Sequence, residues 1–378
     1  MNKKKKVVQL ITSMADGGAE TLVKDYAMLE DRNQVDMIIV SWCEKLGSAN
    51  ERLLKEAGVR VVYLGEIYRD KAEKSIFYKV VRRVRKYTEF RKLIMEENVD
   101  VIHVHLRFGR YLKALPSDVL KKIKLFYTLH NEPGKYFDAS GSGKKGFEYK
   151  EAKRLIDKYG LTVITLHKQM EDEVRRLFDT DNVITINNGI NLERFDRSKY
   201  DSKSIQNELG IEEDTKVIGH VGSFTYQKNH EKLIGIFEEY LKEHENSVLL
   251  LVGKGVEKQQ MIDLVKGKGL DEKVIFLENR SDVPELMSIM DVFVLPSRWE
   301  GFPVVLIEAQ AMGLRCVISD KVTKDAILSD RVCVVGLEDE SAGWIEAIEE
   351  HKEPEEPHGT LEEFDIRRSI EKLTELYS

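Results

Sequence analysis

The chain has 378 residues, of which 42% are apolar, 33% charged and 8% aromatic. This length is typical of two domains, and the composition excludes a disordered or fibrous chain. The net charge of −7 argues against a general nucleic-acid-binding protein. The two halves differ, however, because residues 1–195 carry a net charge of +9 and residues 196–378 a net charge of −16.

The sequence contains neither a recognisable membrane span nor a secretion signal. Its apolar runs are far shorter than the eighteen or so residues that a span requires. The basic N-terminus leads into Val7–Ile11, which is too short for a signal peptide and is soon followed by Asp16-Gly17-Gly18. Cys43, Cys316 and Cys333 are scattered and form no CxxC pair, as is typical of a reduced protein. We therefore expect a cytoplasmic location.

Short β-branched runs alternate with helical patterns along the whole chain. In the first half the predicted strands are Val7–Ile11, Val35–Val40, Val59–Leu64, Val101–Val104, Lys124–Thr128, Thr162–Thr165 and Val183–Ile186. In the second half they are Val217–Val221, Val248–Val252, Val274–Phe276, Val292–Leu295, Cys316–Ile318 and Val332–Val335. Strands that are apolar on both faces and separated by helices indicate parallel sheets covered on both sides. This is too many strands for one compact sheet, so we predict an α/β protein with two Rossmann-like, doubly wound domains.

A polar stretch without an apolar strand lies between Phe195 and Thr215 and is the predicted junction. It divides the chain into an N-terminal domain, residues 1–195, and a C-terminal domain, residues 196–360. The tail, residues 361–378, has apolar residues at helical spacing and is expected to form a helix that packs back on the first domain. Ligands of such sheets bind beyond the carboxyl ends of the strands, here in a predicted cleft between the domains.

The first predicted strand is followed by paired glycines, Gly17 and Gly18, and then by a helix. Such glycines let an anionic ligand approach the backbone at a helix N-terminus. A tight strand-to-helix turn that needs positive φ is the other interpretation, and the sequence leaves both open.

Histidines end two strands of the first half. His103-x-His105 puts two imidazoles on one face of a strand, but no third ligand at zinc spacing follows, so a packing role is favoured. His130 stands just past the end of Lys124–Thr128, where α/β folds place functional groups. It is predicted to donate a hydrogen bond to a ligand hydroxyl or phosphate, with a solvated loop histidine as the alternative.

Two segments of the second half combine charge with helix N-termini. Gly219–Ser223 ends a strand, and Lys228 follows where a loop enters a helix, an arrangement that suits a diphosphate. Further on, Pro296–Ala309 contains two carboxylates, Glu300 and Glu308, around a helix start. Glu308 lies among apolar neighbours and needs a partner such as a ribose diol, and the backbone from Gly301 to Val305 can bind a phosphate or sugar.

This segment resembles the E-x7-E signature of retaining glycosyltransferases of family 4, which have the GT-B fold. Blocks in the same order are similar to other family motifs. They are Gly17-Gly18, Asn187–Ile190, Gly222…Gln227–His230, Leu251–Gly255, Asp282–Leu286 and Asp291–Ser297. The residues of the Gln-Lys-Asn-His and Pro-Val-Val-Leu-Ile-Glu-Ala-Gln blocks most resemble those of the branch that builds bacterial capsular and extracellular polysaccharides.

The resemblance implies roles for individual residues. The implied catalytic residues are Lys228, which neutralises the diphosphate, Glu300, which contacts the donor sugar, and His130, which lies near the reacting centre. The implied donor-binding residues are Gly17, Gly18, Ser223, Asn279, Arg280, Gly301, Phe302, Pro303, Val304, Val305 and Glu308. Among them Glu308 binds the ribose, and residues 278–280 lie near the base. Many members have arginine where this chain has Ser223, so activity is reduced or Arg298 or Arg280 supplies the second positive charge.

The resemblance also implies a reaction. We expect retaining transfer of a hexose or N-acetylhexosamine from a nucleotide sugar, with UDP as the expected nucleotide, to a lipid-linked or growing glycan. Neither a cofactor nor a metal ion is expected, because lysine and helix dipoles stabilise the diphosphate. The alternatives are a sugar-nucleotide epimerase of the same fold or a weakly active partner subunit of a glycosyltransferase.

The basic half suggests a further partner. Lys71–Lys92 contains nine Lys and Arg residues and two Glu residues interleaved with apolar ones. This pattern predicts peripheral contact with an anionic membrane surface, and a basic helix face in water is the alternative. No nucleic-acid partner is expected.

Overall fold

The computed structural model describes residues 4–66, 76–106, 109–137, 146–278, 280, 282–350 and 361–378. Asn279, and residues 71–75 of the basic segment, lie outside these ranges. The chain forms two units, one of Met1–Asn188 with Ile366–Ser378 and one of Gly189–Asp365. The sequence pattern places its division a little later, at residue 195.

The first unit contains a seven-stranded parallel sheet in the described residues, with the order β3-β2-β1-β4-β5-β6-β7. Its strands are β1 (Lys5–Ile11), β2 (Val35–Ser41), β3 (Val61–Tyr63), β4 (Val101–His105), β5 (Lys124–Thr128), β6 (Thr162–Thr165) and β7 (Val183–Thr185). Its helices are α1 (Gly18–Leu29), α2 (Ala49–Glu56), α3 (Ile76–Glu96), α4 (Gly109–Leu112), α5 (Ser117–Leu120), α6 (Pro133–Phe137), α7 (Phe147–Tyr159) and α8 (Lys168–Phe178), joined by α15 (Ile366–Tyr377) from the end of the chain.

The second unit contains a six-stranded parallel sheet in the described residues, with the order β10-β9-β8-β11-β12-β13. Its strands are β8 (Lys216–Val221), β9 (Ser247–Val252), β10 (Val274–Leu277), β11 (Val292–Leu295), β12 (Arg315–Ser319) and β13 (Val332–Val335). Its helices are α9 (Ser202–Leu209), α10 (His230–Tyr240), α11 (Lys258–Gly267), α12 (Val283–Ser288), α13 (Val304–Ala311) and α14 (Ser341–Glu349).

The predicted α/β class with two doubly wound sheets is confirmed, and each predicted strand corresponds to an observed one. The middle strands are buried along their length because helices cover both faces, as β11 and β12 show. Burial on both faces explains why these strands appear as continuous apolar runs in the sequence.

The helix α15 belongs to the first unit although it is the last element of the chain. Its apolar residues Ile366, Ile370, Leu373 and Tyr377 join a buried cluster with side chains of β1, β4 and β5. Thr374 Oγ1 also donates a 2.7 Å hydrogen bond to Glu30, just after α1. The helix therefore completes one covered face of the first sheet.

Each sheet has a point at which the strand order reverses. In the first sheet it lies between β1 and β4, and in the second between β8 and β11. In open parallel sheets this is where ligands bind, beyond the carboxyl ends of the two strands. The loops that follow β1, β8 and β11 carry most of the residues that the sequence nominates.

Within the part of the chain that is described, no helix has both the length and the apolar character needed to cross a membrane.

Candidate active site

The loops after β8 and β11 are joined by hydrogen bonds that bring the predicted catalytic pair together. The backbone N–H of Arg298 donates to the Gln227 carbonyl at 2.8 Å, and Asn229 Nδ2 donates to the Pro296 carbonyl at 3.1 Å. Asn229, which has a φ of 59°, is the N-cap residue of α10. Its Oδ1 accepts a 2.8 Å bond from the Arg298 guanidinium. The two loops are therefore fixed to each other at the point where the strand order reverses.

Lys228 and Glu300 form a buried ion pair between these loops. Lys228 Nζ lies 2.7 Å from Glu300 Oε1, and the two side chains are 14% and 7% exposed. Ser297 Oγ donates to the same oxygen at 2.6 Å, and Gln227 Nε2 donates to Glu300 Oε2 at 3.1 Å. Three donors thus hold the carboxylate in one orientation, which offsets the cost of burying it.

The glycine before Ser223 leaves room for the lysine. A Cβ atom at Gly222 would lie 3.3 Å from both Cδ and Cε of Lys228 and 2.8 Å from His220 Nε2. The lysine stem therefore passes directly over the glycine backbone. Ser223 itself is exposed at the end of β8.

Two neutral histidines, His220 of β8 and His230 of α10, pack at the two ends of the loop that carries Lys228. His220 Nδ1 donates a 2.7 Å hydrogen bond to the Val294 carbonyl, and the His230 ring stacks on Phe224 with 4.1 Å between ring centroids. Burial, with a smaller contribution from the nearby Lys228 ammonium, lowers the pKa of His220 to about 4 and that of His230 to about 2. Neither histidine therefore competes with Lys228 as a cation at neutral pH.

The second carboxylate of the signature lies on α13. This helix begins at Val304 after Pro303, and no side chain caps its N-terminus. Glu308 is half-buried in the middle of the helix, among the buried residues Leu306, Ile307 and Ala309. The first N–H groups of α13 point toward its N-terminus, where they can bind an anion.

Some nominated residues have other roles in this structure. The Phe302 ring is buried and stacks on Phe364, with 5.7 Å between centroids, so only its backbone can serve a ligand at this position. Arg280 is bound by Glu208 at 2.7 Å and by Asp282, and both carboxylates raise the pKa of the guanidinium. Arg280 is thus held by two carboxylates. Arg298 binds Asn229 and lies 4.2 Å from the centroid of the Tyr226 ring.

The glycine pair of the first unit does not form a strained turn. Gly17 has a φ of −94°, and Gly18 is absent from the positions with positive φ in the described residues. A Cβ atom added at Gly18, the first residue of α1, would meet no atom within 4 Å. The interpretation as a turn that needs positive φ is therefore wrong for this pair. Access of a ligand to the backbone stays a prediction for this pair, and at Gly17 a Cβ atom would also meet the Glu20 carboxylate.

His130 is not a solvated loop histidine. It is half-buried after β5, and its Nε2 lies 3.1 Å from Nδ1 of His105. Burial lowers its pKa to about 4. His103 and His105 are fully buried on β4 with their rings 4.3 Å apart, as the predicted packing role requires. Within the described ranges no group of three His, Cys, Asp or Glu side chains could hold a metal ion.

Sequence reasoning missed the hydrogen-bond partners of Glu300 and of the two buried histidines of β4. Ser297 and Gln227 bind Glu300, yet the sequence shows only that they lie close to Glu300 and Lys228 along the chain. The spacing of Ser297 three residues before Glu300 is a signal that could have suggested the contact. Gln9 and Tyr377, which connect to His105 and His103, gave no such signal.

Comparison with known proteins defines the class of this enzyme. The model of the family described as Glycosyltransferase Family 4 matches residues 16–194, and that of Glycosyl transferases group 1 matches residues 201–356. The two models together span both units. The chain therefore belongs to the family 4 glycosyltransferases of the GT-B fold and is an enzyme of the glycosyltransferase class.

Individual relatives agree with this assignment. The putative glycosyltransferase EpsF of Bacillus subtilis is 29% identical over 359 residues, which is 92% of this chain and 88% of EpsF. The UDP-Gal:alpha-D-GlcNAc-diphosphoundecaprenol alpha-1,3-galactosyltransferase of Escherichia coli is 26% identical over 279 residues, 71% of this chain and 70% of that enzyme. Anabaena HepE, solved in complex with UDP and glucose, has the same fold, with a TM-score of 0.74 at 17% identity, covering 98% of this chain and 99% of HepE.

Proposed function

We propose that this enzyme transfers a hexose or N-acetylhexosamine from a UDP-sugar to a lipid-linked glycan with retention of configuration. The observation that carries the proposal is the buried Lys228–Glu300 pair beside the N-terminus of α13. A cation and a helix N-terminus suit a diphosphate leaving group, and an oriented carboxylate suits sugar hydroxyls.

Other nominated residues have proposed roles in donor binding. Glu308 binds the ribose diol, and the backbone from Gly301 to Val305 binds phosphate or sugar oxygens. In the first unit, the open Cβ position of Gly18 supports the prediction that a diphosphate can approach its backbone. Ser223 provides no charge, so Lys228 and the α13 N-terminus stabilise the leaving group without a second cation.

The proposed reaction needs no nucleophile from the protein and no metal ion. The bond between the anomeric carbon and the β-phosphate oxygen breaks while the acceptor hydroxyl attacks from the same face. The acceptor proton passes to the departing phosphate oxygen, which gives UDP and the α-configured glycoside from an α-configured donor. Lys228 stabilises the charge that develops on the diphosphate.

The names of two relatives support the choice of substrates. HepE was solved with UDP and glucose, and the E. coli relative is named for UDP-galactose and an acceptor linked to diphosphoundecaprenol. An acceptor of that chemistry is amphiphilic and lies at a membrane surface. This agrees with the net charge of +9 on residues 1–195.

The membrane contact is assigned to the outer side of α3. Val80 and Val84 are 54% and 56% exposed, and Lys79 and Arg83 are exposed beside them. A face with apolar residues among cations is suited to an anionic lipid surface.

The opposite side of α3 faces its own unit. Lys86 Nζ donates to the Trp42 carbonyl at 2.8 Å, and Arg82 donates to the Gly65 carbonyl at 3.3 Å. Burial lowers the pKa of Lys86. Lys86 and Arg82 are therefore excluded from the proposed lipid contact, and they provide matched controls for the outer side.

Donor binding and transfer test the central proposal. Saturation-transfer NMR with UDP-, GDP- and ADP-sugars should show binding of a UDP-sugar, and Glu308→Ala should abolish it while the thermal unfolding temperature changes little. Release of UDP should then require a polyprenyl-diphosphate-linked glycan and should persist in EDTA, with an α-linked product by NMR. Donor binding without transfer to any acceptor would favour the weakly active partner subunit, and conversion of the donor without an acceptor would favour an epimerase.

Flotation with phosphatidylglycerol vesicles tests the membrane contact. Lys79→Gln with Arg83→Gln should reduce the bound fraction, because each cation near an anionic surface contributes about 1 kcal/mol. Arg82→Gln with Lys86→Gln removes the same charge from the inner side and should reduce it less. Equal losses in both double variants, or no binding by the unaltered chain, would contradict the assignment to the outer side.

A further inference from the structure

A chain of buried hydrogen bonds connects His130 with the last helix through the centre of the first sheet. His130 Nε2 lies 3.1 Å from His105 Nδ1, and His105 Nε2 lies 2.8 Å from Gln9 Oε1. Gln9 Nε2 in turn donates to the Tyr377 hydroxyl at 3.1 Å. Gln9, His105 and Tyr377 are all completely buried. The chain of bonds therefore crosses from the end of β5 through β4 and β1 to α15, and of these four residues only His130 is partly exposed.

A second branch leaves the Tyr377 hydroxyl. Its oxygen lies 2.6 Å from His103 Nδ1, and His103 Nε2 lies 2.7 Å from Thr128 Oγ1. This branch ends on Thr128 of β5 and does not lie between Gln9 and His130. The two branches share the Tyr377 hydroxyl, so their hydrogen-bond directions are coupled through the Gln9 amide.

The three histidines of the network are neutral at physiological pH. Burial lowers the pKa of His103 to about 3 and that of His130 to about 4. Burial and the neighbouring imidazoles lower the pKa of His105 well below its ordinary value. A neutral imidazole carries one proton, so in each ring one nitrogen donates and the other accepts.

The orientation of the Gln9 amide then determines the direction of every bond in the His130 branch. An amide oxygen can only accept, so His105 Nε2 carries the proton and donates to Gln9. His105 Nδ1 is consequently the acceptor, and His130 must donate to it from Nε2. This leaves His130 Nδ1 as the nitrogen with the lone pair.

We propose that Gln9, acting through His105, fixes the proton of His130 on Nε2, so that Nδ1 accepts a hydrogen bond from a ligand hydroxyl. Gln9 and His105 are positioning residues in this inference, which rests on the proposed function for the role of His130 in transfer. The ligand group at Nδ1 is a hydroxyl of a sugar, since a phosphate oxygen has no proton to donate. This proposal replaces the sequence-based expectation that His130 donates a hydrogen bond to a ligand hydroxyl or phosphate.

The opposite direction is a complete alternative. If the Gln9 amide turned over, its nitrogen would donate to His105, and His130 would carry its proton on Nδ1. His103 and Tyr377 would then reverse their roles as well, and each bond would still be formed. The position of a single proton on His130 therefore reports which of the two directions the network adopts.

Nitrogen NMR of the full chain, labelled with ¹⁵N-histidine, tests the proposal at pH 7. Long-range ¹H–¹⁵N correlations distinguish the two neutral tautomers, and His130→Gln assigns the signal. We expect the Nε2–H form for His130 in the unaltered chain. The Nδ1–H form there would overturn the proposal, whether or not any variant folds.

Variants of Gln9 test the cause. Gln9→Met removes the acceptor and should reduce the preference for Nε2–H by about tenfold, roughly the worth of one hydrogen bond. Gln9→Glu restores an acceptor to His105 and should restore the Nε2–H form. An unchanged His130 tautomer in folded Gln9→Met would contradict the role of Gln9.

Kinetics then connect the tautomer with transfer. Gln9→Met should lower kcat several-fold with little change in the donor KM, and Gln9→Glu should recover much of the loss. An absence of transfer by the unaltered chain would speak against the proposed function and would leave the NMR result standing. The expected tautomer together with an unaffected kcat in Gln9→Met would overturn the positioning role.

Discussion

The Lys228–Glu300 pair gives the sharpest quantitative prediction, because both partners are buried and their other contacts are known. Lys228→Met removes the cation but keeps most of the volume of the side chain. Glu300, only 7% exposed, then keeps two neutral donors, Ser297 and Gln227. Removing one partner of a buried pair costs about 3 to 5 kcal/mol. Because two donors remain, we expect a loss of about 3 kcal/mol in the free energy of unfolding.

The second substitution should reverse part of this loss. Glu300→Gln removes the negative charge that needs a cation, and by itself it leaves Lys228, which is 14% exposed and can reach water. We expect this single change to cost about 1 kcal/mol. The double variant should then be about 2 kcal/mol more stable than the sum of the two losses predicts.

Urea unfolding of the full chain measures the cycle, with tryptophan fluorescence as the signal. Trp344 is completely buried in the second unit and reports on its core. The control is Lys321→Gln, which breaks a 2.6 Å pair with Asp320 whose side chains are 47% and 41% exposed, and it should cost far less than Lys228→Met because solvent screens the pair. If the Lys228 and Glu300 losses add to within about 0.5 kcal/mol, the argument from a coupled buried pair is refuted.

Three further predictions concern other features. Gly18→Ala should leave the free energy of unfolding unchanged or raise it by about 0.5 kcal/mol, since no atom lies within 4 Å of the new Cβ. The same substitution should lower the rate of sugar transfer about tenfold or more. The control is Gly235→Ala in α10, where the Cβ position is equally open and the rate of transfer should not change. Because burial lowers the pKa of His103 to about 3, its imidazole stays neutral in the folded chain at pH 5, whereas in the unfolded chain it gains a proton below pH 6.5. The free energy of unfolding should therefore fall by about 2 kcal/mol between pH 7 and pH 5 on account of this residue. Urea unfolding at pH 7 and pH 5 should therefore show a smaller difference for His103→Gln, and an equal difference would contradict the assignment. Arg280→Gln should destabilise the second unit through loss of Glu208 and Asp282 but leave UDP-sugar binding in calorimetry unchanged, whereas weaker binding would mean that Arg280 supplies the missing charge.

The fold could be predicted from the sequence because its strands are buried on both faces. Val292–Leu295 and Lys124–Thr128 begin and end as predicted. The weakest prediction was Val59–Leu64, of which only Val61–Tyr63 forms a strand, at the edge of the first sheet. An edge strand pairs on one side alone, so its ends depend on loop contacts that apolar patterning does not encode.

The candidate site was predictable in its residues but not in its contacts. Lys228 and Glu300 were each nominated from local context, yet their contact spans 72 positions and depends on β8 and β11 being neighbours. Testing whether Gly18 serves a turn with positive φ required its backbone angle, which the sequence of the paired glycines does not give. The bond between His103 and Tyr377 spans 274 positions, and Tyr377 appeared in the sequence only as one apolar residue of an amphipathic helix. Polar contacts within a core leave no periodic signal, so they become visible only when the elements are assembled.

The return of α15 to the first unit has a consequence for synthesis of the protein on the ribosome. The seven strands of that unit are complete once residue 185 has emerged, but Ile366, Ile370 and Tyr377 of its buried cluster are made only after the whole second unit. Until then the apolar surface that α15 covers lacks its final layer, and Gln9 and His103 lack the hydroxyl between them. The second unit is continuous in sequence and can fold from its own residues. The first unit is completed only when residues 366–378 have been synthesised. Its incomplete face is therefore a place where a nascent chain would need protection by a chaperone.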